Sequence, residues 1–388
     1  MSNFDINNFI NSKVSNMKPS GIRKFFDIVS TMDDAISLGV GEPDFITPWH
    51  IRDAGIYSLE RGQTYYTSNA GLMELRDEVC NYVKKFNLSY SANEVLITVG
   101  GSEAIDLAMR TMVSPGDEVI IHEPSFVCYK PCAMLAGAVP VTIETKAENG
   151  FKLTADELRE KITDKTKLLV LSYPNNPTGA IMTEEDLKAI AEVVTEKNIM
   201  VISDEIYAEL TYPKKHCSIA SLPGMKERTV VVNGFSKAFA MTGWRLGYLM
   251  ADKVLTKQIT KVHQYAIMCS PTTSQYAAIE ALKNGEESII AMRNEYNDRR
   301  KIIVDAFNEM GFQCFSPDGA FYIFPSIKRT GLSSEEFCER LLHEQKVAVV
   351  PGTAFGECGE GFVRVSYAYS IKQISKAVER IQKFASQF

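Results

Sequence analysis

Residues 233–247 read Asn-Gly-Phe-Ser-Lys-Ala-Phe-Ala-Met-Thr-Gly-Trp-Arg-Leu-Gly, directly after a short β-rich run, Thr229-Val230-Val231-Val232. One lysine, Lys237, stands among small residues at a strand end, with Arg245 eight positions later. A neutral lysine amine attacks an aldehyde. An arginine fork grips a phosphate. Ser236 and the nearby glycines let side chain and backbone approach the same anion. Ser236-Lys237 alone would equally suit an exposed loop with ordinary cations.

An aldehyde that also carries a phosphate is pyridoxal 5′-phosphate (PLP), which proteins hold as a lysine Schiff base. The whole pattern Ser-Lys-x5-Gly-x-Arg-x-Gly is long and specific. It resembles the lysine-attachment signature of class I/II aminotransferases, which are PLP enzymes of fold-type I. The resemblance runs from about residue 22 to the C-terminus. It is nearest to the branch with bacterial and archaeal aromatic-amino-acid and aspartate aminotransferases, through Gly-Ala-Phe-Tyr-Ile-Phe-Pro at 319–325 and Val-Pro-Gly-Thr-Ala-Phe-Gly at 350–356.

The composition agrees with a globular enzyme. The chain has 388 residues, enough for two domains, with 45% apolar and 23% charged residues. A net charge of −6 gives no reason to expect nucleic acid or an anionic membrane surface. No apolar run approaches a membrane span. Residues 1–20 are polar and Asn-rich, without a signal-peptide core. Eight cysteines are scattered, and the nearest pair, Cys128 and Cys132, has the wrong spacing for a CxxC site. They read as reduced thiols of a cytoplasmic protein. Five histidines form no ligand cluster, so no metal is expected.

Outward from the lysine, strands alternate with helices between about 94 and 250, which predicts a doubly wound, mostly parallel sheet. The strands are expected at 94–99, 119–121, 139–143, 167–173, 199–203 and 229–233. Residues 247–250 are the reversed strand that the resemblance implies. Helices are expected at 22–32, 49–61, 72–86, 105–112, after Pro124, from a capping box at Thr154, at 183–197, and through 255–310. Residues 36–45, with two glycines and one proline among them, read as a loop. After Gly311, short strands at 320–324, 347–350 and 362–366 read as a smaller α+β part. The resemblance implies fold-type I: an α/β large domain, 44–283, with a seven-stranded sheet between helices. A small α+β domain would combine 1–43 with 284–388.

Several other motifs carry candidate chemistry. Gly100-Gly101-Ser102-Glu103 joins a strand to a helix start, where free N–H groups and the positive helix end gather an anion; a plain tight turn has the same sequence. Asp204 ends a strand, where ligands collect in open α/β sheets, although an aspartate there also caps helices. There a carboxylate would keep the cofactor's ring nitrogen protonated, and Tyr207 lies three residues on. Arg364, between valines on a strand, needs a partner for its charge, either a substrate or a structural ion pair.

The resemblance assigns roles to these positions. Lys237 is the attachment lysine and base, Asp204 the ring-nitrogen partner, and Tyr207 a donor to the phenolic oxygen. Gly101, Ser102, Glu103, Ser236 and Arg245 belong to the phosphate and cofactor contacts. Phe126 stacks on the ring, or is only core. Asn176, in Asn-Pro-Thr-Gly, meets the phenolic oxygen and the substrate carboxylate. Gly41 and Arg364 bind that carboxylate. Tyr66 reaches the partner's phosphate, so the resemblance implies a homodimer. The implied reaction moves an amino group from an aromatic or broad-range amino acid, or aspartate, to 2-oxoglutarate. N-acetyl-diaminopimelate transamination and a PLP-dependent C–S lyase are alternatives. A non-catalytic regulator on this fold is disfavoured by the absence of a basic extension.

Overall fold

Residues 4–17, 19, 32 and 34–388 are described in a computed structural model. The helix expected over 22–32 lies outside the described residues, which include only Met32 of it. A single turn, α1 (Ser12–Ser15), precedes strand β1 (Ile36–Ser37).

Six apolar runs form the strands that the sequence implied: β2 (Val95–Thr98), β3 (Glu118–Glu123), β4 (Val139–Glu144), β5 (Thr166–Ser172), β6 (Met200–Asp204) and β7 (Thr229–Gly234). With β8 (Gly247–Met250) they make one seven-stranded sheet in the order β2-β8-β7-β6-β5-β3-β4. Strand β8 is antiparallel to both its neighbours, while the other adjacent pairs are parallel. Successive residues point to opposite faces, and both faces are covered, which is why the strands read as unbroken apolar runs. Leu169, Leu171 and Val201 enter one core cluster, and Leu168, Val170 and Ile202 enter another.

Helices α4 (Gly100–Met112), α5 (Tyr129–Ala136) and α8 (Lys253–Ala266) bury their apolar stripes on one face, and α6 (Ala155–Lys161) and α7 (Glu184–Glu196) on the other. Thr154 and Thr183 start α6 and α7 with capping boxes, each stabilising its helix by about 1 kcal/mol. Helix α4 begins at Gly100 rather than at residue 105, so the Gly-Gly turn is its first turn. Helix α5 begins only at Tyr129, and residues 124–128 form a loop. Helices α2 (Trp49–Glu60), α3 (Met73–Tyr82) and α9 (Thr272–Asn284) share a further cluster with Phe235, Phe239 and Tyr248.

Beyond α9, the 24-residue helix α10 (Glu286–Glu309) leads to a smaller sheet. Strands β11 (Val350–Pro351), β12 (Val363–Ser366) and β9 (Tyr322–Ile323) lie in that order, antiparallel. Helices α11 (Ser334–Gln345) and α12 (Ile371–Ala385) pack beside them. Two expectations need correction here. Residues 347–350 are not one strand: β10 (Val347–Ala348) pairs in parallel with β1, and the chain then passes to the other sheet as β11. Ile36–Ser37 is therefore a strand rather than loop, because it finds a partner about 310 residues away that local glycine and proline signals cannot reveal. Among the described residues no helix is long and apolar enough to cross a membrane, and no cluster of three or more metal-ligating side chains occurs.

Candidate active site

Strands β5, β6 and β7 end on one edge of the sheet, where α4 starts, and the reversed β8 begins there. Their ends surround a cavity of about 510 Å³ that the β9–β12 side closes with Tyr322 and Arg364. This volume suits a cofactor with a small substrate.

Lys237 follows β7 by three residues and is partly buried, with Nζ donating to the Gly41 carbonyl at 2.6 Å. Burial lowers its amine to about 8; Glu42 opposes that shift, and Arg364 and Arg245 add to it. A substantial neutral fraction therefore exists near physiological pH, as a nucleophile or base requires. Ser236 lines the same cavity.

Beyond the lysine, Arg245 sits in the left-handed region with φ of 52°. That turn brings its guanidinium back over the first residue of α4. A Cβ on Gly100 would stand 2.7 Å from Arg245 Nη2. The close approach explains the first glycine of the pair, and Gly247 has a matching role. A Cβ on Gly247 would lie 2.7 Å from the Gly100 carbonyl carbon and 2.8 Å from the Gly101 nitrogen. Gly101, Ser102, Ser236 and Arg245 thus line one end of the cavity at a helix N-terminus, an arrangement built for a phosphate.

Asp204 closes β6 and is buried. Oδ2 accepts from the Tyr129 hydroxyl at 2.7 Å and Oδ1 from the Ile206 N–H at 3.1 Å. Burial raises its pKa, while these two bonds pull it back down. Tyr129 also contacts Ser172 Oγ at 2.8 Å. Phe126 and Ile206 line the cavity beside them. Tyr207 reaches the Tyr322 hydroxyl at 2.8 Å.

Arg364 is only 2% exposed. Nη1 donates to Asn176 Oδ1 at 2.9 Å and Nη2 to the Gly39 carbonyl, while Nε has no partner. Its guanidinium lies over the rings of Tyr322 and Phe355, 4.5 and 4.8 Å from their centres. No carboxylate pairs with it among the described residues, so they supply no structural ion pair for it. Arginine only donates, so Asn176 turns its oxygen to Arg364 and keeps its amide N–H₂ for another acceptor. Gly41 borders the same guanidinium, and a Cβ there would collide with the Tyr322 hydroxyl at 2.4 Å.

Two of the expected residues stand elsewhere. Glu103 does not face the cavity: its carboxylate accepts from the Val99 N–H and pairs with His263 Nδ1 at 2.8 Å. Val99 is the N-cap residue of α4 and offers no side-chain cap; Glu103, from the first turn, accepts from the N–H of Val99 itself. Tyr66 is 78% exposed on the loop after α2, outside the cavity of its own chain. Conversely, Tyr129, Ser172 and Tyr322 were not singled out from the sequence as site residues. Tyr129 reads as an ordinary helix-start aromatic, and nothing local marks its hydroxyl as the Asp204 donor.

The sequence profile for aminotransferase class I and II matches residues 33–381. The chain belongs to this family. An aspartate aminotransferase of Pyrococcus abyssi is 47% identical over 372 residues, which cover 95% of this chain and 96% of the relative. An aromatic-amino-acid aminotransferase of Thermococcus litoralis is 44% identical over 379 residues, 96% and 97% of the two chains. The solved structure of a Thermus thermophilus aspartate aminotransferase with maleate has a TM-score of 0.93 at 37% identity, covering 96% and 99%. The enzyme is a PLP-dependent aminotransferase of fold-type I. Its own residues fit that cofactor. A partly buried amine of lowered pKa, a phosphate cradle that a Cβ would fill, and a buried carboxylate line one cavity.

Proposed function

We propose that this aminotransferase takes the amino group of a neutral L-amino acid, aromatic or broad in range, and passes it to 2-oxoglutarate in two half-reactions at one site. Bound PLP supplies the electron sink that acidifies the substrate's Cα–H bond. Arg364 binds the α-carboxylate through its unpaired Nε–H and remaining N–H groups, with Gly41 alongside. This orphaned buried donor is the observation that carries the substrate assignment, because an unmet N–H there costs free energy until an anion arrives. Asn176 Nδ2 and the Tyr207 hydroxyl would donate to the cofactor's phenolic oxygen. Asp204 would favour positive charge at the ring nitrogen, and Phe126 would pack on the ring. Gly101, Ser102, Ser236 and Arg245 grip the phosphate. Lys237 Nζ removes the Cα proton and later returns it.

The donor class follows from the cations that face the cavity: Lys237, Arg245 and Arg364. Each has a task above, so none among the described residues that line the cavity remains for a second carboxylate. Aspartate is therefore a weaker donor than phenylalanine or tyrosine. The acceptor, 2-oxoglutarate, rests on the family resemblance alone. We also propose a homodimer, supported by the exposed apolar side chains Trp49, Tyr65, Tyr66 and Tyr265. The domain division at 44–283 and 1–43 with 284–388 is part of the same reading. So is a cytoplasmic location, which agrees with eight free cysteines.

Single amino acids, added to the holoenzyme without any keto acid, should convert its visible absorption band to a near-ultraviolet one. The ranking should be phenylalanine and tyrosine ahead of aspartate. If aspartate leads, the donor assignment fails. A band unmoved by every amino acid, or pyruvate and ammonia released from a cysteine conjugate, would replace transamination with another reaction.

A further inference from the structure

His263 lies on α8 with no exposed side-chain surface, and it is packed against the N-terminal turn of α4. Its Nδ1 is 2.8 Å from Glu103 Oε1, and its Nε2 has no partner. The other Glu103 oxygen accepts from the N–H of Val99, the N-cap residue of α4. An ionised carboxylate only accepts, so Nδ1 carries the proton in this pair. The chain of contacts therefore runs from α8 through His263 and Glu103 to the backbone at the start of α4. Gly101 and Ser102, in that same first turn, line the cavity.

Glu103 creates a problem for the site it supports. A carboxylate in the first turn suits the positive helix end, but a phosphate dianion must occupy the same end, and like charges repel. The two anions coexist only if the carboxylate stays on the flank of the helix, turned from the cavity. The Val99 N–H holds one of its oxygens, and a second donor is needed on the other. His263 is that donor. We propose that His263 is a positioning residue for the cofactor's phosphate: it pins Glu103 on the far flank of α4, and so leaves the helix end free for the phosphate. This rests on the phosphate-cup reading above. His263 touches neither substrate nor cofactor.

Two replacements separate the donor from the bulk of the ring. His263→Asn keeps an amide N–H close to the position of Nδ1, whereas His263→Leu keeps volume and loses the donor. Holoenzyme is diluted, and release of PLP is followed by loss of the visible band. Rebinding is then measured for PLP and for pyridoxal, which lacks the phosphate. His263→Leu should bind PLP roughly tenfold more weakly, the loss expected for one charge-assisted hydrogen bond. Its pyridoxal affinity should be unchanged, and His263→Asn should remain near wild type. Melting curves report folding separately. Equal PLP affinity in all three proteins overturns the proposal, and so does an equal loss in both variants or a parallel loss for pyridoxal. If the wild type itself does not favour PLP over pyridoxal, the phosphate cup fails, and the role of His263 fails with it.

Discussion

Burial lowers the Lys237 amine to about 8, so its protonation should be visible in how the chain takes up PLP. Only the neutral amine attacks an aldehyde, and the neutral fraction rises as pH passes upward through the pKa. Stopped-flow uptake of PLP should therefore accelerate between about pH 7 and 9 with a midpoint near 8, and flatten above it. A profile still climbing beyond pH 10 would mean that the partly buried amine has its ordinary affinity for protons. Tyr129 gives a second test. It supplies one of the two bonds that oppose the effect of burial on Asp204, so Tyr129→Phe should push the carboxyl further up. A carboxyl that protonates more readily holds a ring cation less well. The expected result is a fall in kcat of about tenfold with little change in KM, and a loss that deepens as pH is lowered. An unchanged pH profile would leave Tyr129 as packing only. Lys237, Asp204 and Arg364 were legible in the sequence because their neighbours form long motifs. Tyr129 was not, because hydrogen bonds between β6 and α5 leave no local pattern.

The start of α4 and the start of β8 meet almost backbone to backbone, and this contact fixes the end of the cavity lined by Gly101, Ser102 and Arg245. Gly247→Ala would place a methyl 2.7 Å from the Gly100 carbonyl carbon and 2.8 Å from the Gly101 nitrogen. Neither atom belongs to a flexible side chain, so α4 must move away from β8. The variant should lose about 1–3 kcal/mol of stability by overpacking and hold PLP more weakly, both measurable by melting with and without excess cofactor. A variant that matches wild type in both would show that the two elements are free to separate. Elements with strong sequence patterns were readable in advance: six strands of the large sheet and the capped starts of α6 and α7, while the reversed β8 came from the family resemblance. Elements of two residues were not. Strand β1 exists only because β10 lies beside it, and the break at Val349 follows from two sheets competing for one extended run. Glu103 was misplaced for a related reason. Its sequence position shares the glycine-rich turn, but its side chain points to α8, a direction that the turn alone does not specify.

At the scale of the whole molecule, the open question is which chain completes each site. Tyr66 is largely exposed and lies outside the cavity formed by its own chain. If it serves the partner's phosphate, as the family resemblance implies, the two active sites of a homodimer each draw on both chains. Complementation can distinguish this arrangement from a self-contained site. Tyr66→Ala and Lys237→Ala should each be inactive at limiting PLP, the first through a weakened phosphate grip and the second through loss of the base. In a heterodimer of the two, one site combines the intact Lys237 of the Tyr66→Ala chain with the intact Tyr66 of the Lys237→Ala chain. The other site lacks both. Random pairing makes half of the dimers mixed, so co-expression in equal amounts should restore about a quarter of the wild-type activity per site. A self-contained site predicts no rescue, because each chain would then lack one of its own two residues whatever its partner. Rescue near a quarter would place Tyr66 across the interface, and activity no higher than that of the separate variants would return it to its own chain.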